Sequence, residues 1–376
     1  MSRALTRYGM RDVVSKLYRY RVPDLGIEFV NREYEVETLL QEHIRERGYE
    51  HLLVVTGPWG CGKTQFARAL AHALDSYGNF VAIYMDLTEQ DLSKVFQPLR
   101  SRVVETCMEI VLNVLGDVAK VPIQLYTFLR ELSKRFRVRG AKVILLIDEV
   151  TKSLEKYGVT IRDFVSSLSY KIFEIRDELE LEYLYPIAFT SDQTAVQHFL
   201  REQGKNMFTY LMWNLSKQAT EQLLQKLECP LDYELVWKVT GGNPREVAEL
   251  RAWRWNLDRY LSAKIGKVLP LIKLAQDLSV ENYLREVVEC VDCVKPYQPG
   301  IQLPEYIVSR RLIEENIVMN IDERFRKLSK IPRGEPWIGR EYAFQTPIYY
   351  WILKTALETG EKPTPRKVLE TIEENT

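Results

Sequence analysis

Between residues 51 and 74 the chain runs from an apolar, strand-like stretch, His51-Leu52-Leu53-Val54-Val55-Thr56, through Gly57-Pro58-Trp59-Gly60-Cys61-Gly62 into an amphipathic helix opening with Lys63-Thr64. Few folds accommodate that succession, because the loop matches G-x-x-x-x-G-K-T in the strand-to-helix setting that gives the pattern its meaning. Glycines let backbone N–H groups curl inward around an anion, and the following helix turns its positive end on the same point. The pattern predicts a cradle for nucleotide phosphates, with Lys63 reaching the β- and γ-phosphates and Thr64 ligating Mg²⁺. Gly57, Pro58, Trp59, Gly60, Cys61, Gly62, Lys63, Thr64 and the next residue, Gln65, form the expected contact stretch. Trp59 and Cys61 fill variable positions and receive no chemistry of their own.

The elements around the loop imply a parallel sheet. Further strands are expected at Phe80–Met85, with Asp86 at its carboxyl end, and at Val143–Ile147, Tyr183–Phe189 and Phe208–Trp213. Helices are expected between them, at 101–115, 123–137 and 161–179. Strands alternating with helices read as right-handed βαβ units, hence an α/β core with a five-stranded parallel sheet. After Ser216 the rhythm turns wholly helical, with Asp232 opening one helix that stops at Gly241-Gly242 and Asn243 capping a long one with Pro244 in its first turn. Beyond Asp277, short helices precede a two-stranded ribbon at Ile317–Ile321 and Tyr342–Thr346. The opening segment carries Arg3, Arg7, Arg11, Lys16, Arg19 and Arg21 and reads as a basic arm with a solvated helix, while Asn31 is expected to cap the next helix.

A metal beside the phosphates needs an acid at the end of a buried strand, and Leu145-Leu146-Ile147-Asp148-Glu149 supplies one. Asp148 is the expected metal ligand, and Glu149 the base that orients and deprotonates the attacking water. The next strand ends in Thr190-Ser191-Asp192, where Thr190 or Ser191 would hydrogen-bond that water or the γ-phosphate, or else cap the following helix. Cys290 and Cys293 form one C-x-x-C without the four ligands of a zinc site, and read as a reducible disulfide or two buried thiols.

Charge narrows the partners. The chain has 52 basic and 52 acidic residues, so its overall field does not draw it onto nucleic acid, and such binding would need a local patch. No apolar run reaches the ~20 residues of a membrane helix, and no secretory signal opens the chain, so the expected compartment is the cytoplasm, without membrane attachment.

Three stretches together carry a resemblance: Phe29-Val30-Asn31-Arg32-Glu33-Tyr34-Glu35, the two nucleotide motifs, and Thr240-Gly241-Gly242-Asn243-Pro244-Arg245-Glu246-Val247. They resemble the archaeal ATPase family of the AAA+/STAND branch of P-loop proteins, close to origin-recognition initiators, over about residues 26–250. The resemblance implies a hydrolase that turns ATP and water slowly into ADP and phosphate with Mg²⁺. It implies an adenine pocket from Phe29, Val30, Asn31 and Arg32, and a lid in which Pro244 and Arg245 meet the nucleotide. Arg245 would couple lid angle to nucleotide state, or form a salt bridge within the lid. Arg201 would stand where related ATPases present an arginine to a neighbouring subunit, or be a surface charge. The same resemblance divides the chain into a basic arm (1–25), a P-loop ATPase core (26–215), a helical lid (216–277), a winged helix (278–360) and a tail (361–376). In the winged helix, Pro304–Glu314 would be the recognition-type helix. Arg324, Arg326, Lys327, Lys330, Arg333, Arg340 and Trp337 would form a basic wing. Two readings stay open: an ATP/ADP switch on double-stranded DNA, or a STAND-like signalling or defence ATPase that binds a protein or itself.

Overall fold

In the computed structural model, residues 7–44, 52–74, 80–86, 96–97, 140–151, 160–178, 180–204, 207–298 and 300–375 are described. The helices expected at 101–115 and 123–137 lie outside them. The chain separates into two compact units.

The first unit comprises residues 1–56, 63–212 and 325–328. It opens with helix α1 (Arg7–Arg19), the hairpin β1 (Arg21–Val22) and β2 (Ile27–Glu28), and α2 (Glu33–Ile44). The basic arm is therefore not a solvated helix: Met10, Val13 and Leu17 are buried on one face of α1. Strands β3 (Leu52–Thr56), β4 (Phe80–Asp86), β5 (Phe96–Gln97), β6 (Lys142–Asp148), β7 (Tyr183–Phe189) and β8 (Met207–Leu211) alternate with α3 (Lys63–Leu74), α4 (Ile161–Glu178) and α5 (Gln193–Glu202). All residues of β3, β6 and β7 are buried, as expected of strands covered on both faces.

The sheet order is β10-β8-β3-β7-β6-β4-β5, in which β10 is Arg326–Lys327, after β9 (Val318–Asn320) in the chain. It has six parallel strands, not the five expected, with β5 antiparallel at the other edge. The extra parallel strand comes from a two-residue segment more than a hundred positions downstream, with too little pattern to be read as a strand. Strand β7 sits between β3 and β6, which brings its carboxyl end beside theirs. Pro186 occurs in this central strand just before the β3–β7 ladder begins at Leu53 and Ile187, where a missing N–H is tolerated.

The second unit comprises residues 57–62, 213–324 and 329–376. Its helices α6 (Lys217–Lys226), α7 (Tyr233–Thr240), α8 (Pro244–Ala252) and α9 (Leu257–Asp277) start at Ser216, Asp232, Asn243 and Asn256, each accepting from amides of its own first turn. The helix capped by Asn243 is shorter than expected. It stops at Ala252, because Arg254 and Trp255 turn left-handed, and the long helix is the next one, α9. Then follow α10 (Glu281–Glu289), a 3₁₀ turn at Val291–Cys293, α11 (Pro304–Glu314), the antiparallel ribbon of β9 with β11 (Tyr342–Phe344), α12 (Pro347–Thr359) and α13 (Pro365–Glu374). Two helices followed by a two-stranded ribbon is the element order of a winged helix. Asp292 anchors the ribbon by accepting the N–H groups of Arg340, Glu341 and Tyr342 at 2.8–2.9 Å. Burial works against that carboxylate, but the three amides prevail and lower its pKa.

Among the described residues, no helix is long and apolar enough to cross a membrane.

Candidate nucleotide site

In the first unit, the start of α3 and the ends of β6 and β7 bring five of the expected site residues into one neighbourhood. Lys63 is buried despite its charge, at 7% exposure. The Thr64 hydroxyl donates to Asp148. Asp148 also accepts from the Tyr84 hydroxyl at 2.8 Å and, through its other oxygen, from the Glu149 amide at 3.1 Å. Burial raises the pKa of Asp148, with Thr64 and Tyr84 pulling the other way. The same burial, reinforced by Asp148, raises that of Tyr84, so the phenol stays a neutral donor.

Glu149 leaves the end of β6 with φ +50°, a conformation that costs a non-glycine residue roughly 1–3 kcal/mol. Its carboxylate accepts from the Ser191 hydroxyl at 3.5 Å. Thr190 points instead to Thr151, their hydroxyls 3.1 Å apart, and its Oγ1 accepts the Asp192 amide. It is Asp192 that caps α5. Neither Thr190 nor Ser191 caps the helix: Ser191 touches the acid, whereas Thr190 ties together two strand ends.

Residues 29–32 are held by a different logic. Phe29 and Val30 are buried, and the Tyr20 ring meets Phe29 edge-on while its hydroxyl donates to Gln65 at 3.1 Å. Asn31 and Arg32 have φ of +64° and +82°. Asn31 does not cap α2: its side chain accepts the Arg32 amide, and the Arg32 carbonyl takes the first helical bond, from Val36. Arg32 is 2% exposed and pairs with Glu35 at 2.6 Å, which fixes the bend ahead of α2.

In the second unit, loop residues 57–62 lie with the lid sequence. Gly60 and Gly62 have φ of +85° and +100°, as inward-curled amides require. A Cβ on Gly60 would fall 2.6 Å from Arg245 Cβ, so no other residue fits there. Asn243, fully buried, caps α8 with its oxygen and gives its amide to the Trp59 carbonyl and to Asn214, both at 3.0 Å. Arg245 is exposed and stacks on the Trp59 ring with Cζ 3.6 Å from the centroid, so it forms no salt bridge within the lid among the described residues. Pro244 occupies the first turn of α8, 3.8 Å from where a Gly62 Cβ would lie.

Sequence reasoning missed Tyr84 as a partner of Asp148 and gave Trp59 no task. It also missed a cavity of about 540 Å³ lined in part by Thr151, Arg162, Asp192, His198 and Arg201, in which Arg201 is exposed. The proposed wing is only partly free. Trp337 is buried against Trp351 and so is not on offer to a groove, whereas Arg326, 3.6 Å over Phe208 as part of β10, stays exposed. Cys290 and Cys293 are not both buried, since Cys290 is exposed.

A family model described as an ATPase domain predominantly from Archaea matches residues 29–250. No curated protein matches the sequence. Similar solved structures include Cdc6p from Pyrobaculum aerophilum, 14% identical over 95% of this chain and 96% of that one, at a TM-score of 0.38. The Aeropyrum pernix ORC2 protein in its ADPNP–ADP complexes is 12% identical over 91% and 92%, at 0.43. The Aeropyrum pernix ORC1 protein in complex with DNA is 16% identical over 93% and 96%, at 0.38.

Proposed function

Because this chain belongs to the family of ATPase domains found predominantly in Archaea, we propose that it is a Mg²⁺-dependent ATP switch, in which the nucleotide held by an ATPase core sets the pose of a C-terminal partner-binding domain. The observation that carries this reading is the contact of Thr64 with Asp148, next to a strained Glu149 that touches Ser191.

Thr64 and Asp148 offer a hydroxyl and a carboxylate, the hard oxygen donors that Mg²⁺ takes one or two at a time alongside phosphate and water. When bound, the ion would neutralise charge on the phosphate oxygens. The remaining work belongs to the chain. Loop amides and Lys63 bind the phosphates, Glu149 takes a proton from the attacking water, and Ser191 holds the Glu149 carboxylate in place. Arg245 reports the terminal phosphate to the lid. Overall, ATP and water give ADP and phosphate. In this reading the core spans about residues 26–215, the lid extends to 277, and the domain that answers to it follows.

Of the two partners left open, the side-chain arrangement favours a protein. In α11 both arginines pair with acids of the same stretch: Arg310 with Glu314, and Arg311 with Glu314 and Glu315. Arg324 is taken up by Asp322. With two arginines against two glutamates, α11 carries no net charge of its own to set against DNA phosphates. Titrating labelled duplex at 50 and 200 mM salt, with and without ATP, tests this: weak binding with a shallow salt slope is expected, and affinity that drops steeply with salt would restore the DNA reading. Hydrolysis is tested by Lys63→Ala, expected to abolish nucleotide binding or turnover; unchanged turnover would refute the site.

A further inference from the structure

The third loop position, Trp59, is held from every side within the second unit. Its N–H donates to Gln345 Oε1 at 2.7 Å and its carbonyl accepts from Asn243, while Asn214 joins Asn243 to the Gln345 carbonyl and closes a ring of four residues. One amide is thus committed to the end of the ribbon. The indole in turn carries two cations, Arg245 at 3.6 Å and Lys267 at 5.9 Å, and Lys267 also donates to the Tyr349 hydroxyl at 2.9 Å. Arg245 is otherwise exposed, and among the described residues no carboxylate pairs with it.

From this arrangement we infer that Trp59 is a positioning residue for Arg245, holding the guanidinium at the loop in advance so that it can discriminate a triphosphate from a diphosphate. The inference rests on the reading of Arg245 given above. A free arginine loses several rotatable bonds when it fixes on a ligand, and ordering such a side chain lowers affinity roughly 2- to 10-fold. A planar ring at stacking distance meets that cost before the nucleotide arrives. The contact needs a flat π face rather than a particular residue, so phenylalanine preserves much of it and alanine none. The backbone geometry agrees, because the Arg245 amide donates to the Gly60 carbonyl at 3.3 Å, one residue from the indole.

The test measures affinity for ADP and for a nonhydrolysable ATP analogue, both with Mg²⁺, in the full chain and in Trp59→Ala, Trp59→Phe, Arg245→Ala and the Trp59→Ala/Arg245→Ala double variant. Trp59→Ala is expected to lower the triphosphate-over-diphosphate preference about 2- to 10-fold, with Trp59→Phe restoring most of it and the double variant behaving as Arg245→Ala alone. A merely structural tryptophan would weaken both nucleotides alike and leave their ratio unmoved. If Arg245→Ala lowers the ratio but Trp59→Ala does not, or the two losses multiply in the double variant, the inference is overturned and the reading of Arg245 stands. If Arg245→Ala leaves the ratio unchanged, both fall. The phosphate cradle itself is judged separately by Lys63→Ala.

Discussion

Asn243 concentrates the energetics of the second unit in one side chain. It is 0% exposed and makes four hydrogen bonds: its oxygen takes the amides of Arg245 and Glu246, and its nitrogen serves the Trp59 carbonyl and Asn214 Oδ1. Replacing it by alanine removes a helix cap, at about 1 kcal/mol. It also strands one buried acceptor, Asn214 Oδ1, and one half-buried one, the Trp59 carbonyl, together about 2–4 kcal/mol. The expected loss is therefore about 3–5 kcal/mol, a large part of a typical folding free energy. Serine keeps a capping oxygen without the amide NH₂ that reaches Trp59 and Asn214, and should recover about 1 kcal/mol of that loss. Urea unfolding followed by tryptophan fluorescence suits the measurement, because all seven tryptophans, from Trp59 to Trp351, lie in the second unit. With an m-value of about 2 kcal/mol/M, the alanine midpoint should fall by roughly 1.5–2.5 M. A loss below about 1 kcal/mol, or a serine variant no better than alanine, would refute the reasoning.

Glu149→Gln should lower kcat by about 10²- to 10⁴-fold while nucleotide affinity, followed with a fluorescent analogue, stays put. Gly242→Ala should destabilise the second unit by several kcal/mol in the same urea assay, on the order of 2–5. Its Cβ would fall 2.3 Å from the Leu215 carbonyl oxygen at a φ of +73°. Asp292 has a lowered pKa in the folded state, so its contribution is present above the usual carboxylate value and disappears as pH falls through the folded one. Asp292→Asn should therefore reduce stability at pH 7 by about 1–2 kcal/mol. The gap from the parent should close only as pH falls below the usual carboxylate range, as read from the urea midpoint at each pH.

Much of the site could be read directly from the chain because its parts are local. A glycine loop between a buried strand and a helix, or an acidic pair ending an apolar run, needs no distant residue to be recognised. The caps at Ser216, Asp232 and Asn243 are equally short-range. Trouble began where a local rule met a competing contact. Asn31 has the chemistry of a cap, yet the bend at Arg32, held by the buried pair with Glu35, moves the helix start beyond it. Arg326 reads as a basic residue of a wing, and nothing local announces that the register of β10 on β8 lays its guanidinium over Phe208.

Sequence alone determined the order of most of the described elements, the glycine loop between β3 and α3 and the acidic pair ending β6, since periodicity and turn chemistry act over a few residues. Tertiary structure decided the sixth parallel strand, the burial of Trp337, the pairing of Ser191 with Glu149, and the stack of Arg245 on Trp59. Each joins residues far apart along the chain, and which of many compatible side chains meets which is set by the packing of the whole unit. A tryptophan in a loop has no evident purpose until the fold brings an arginine to its face.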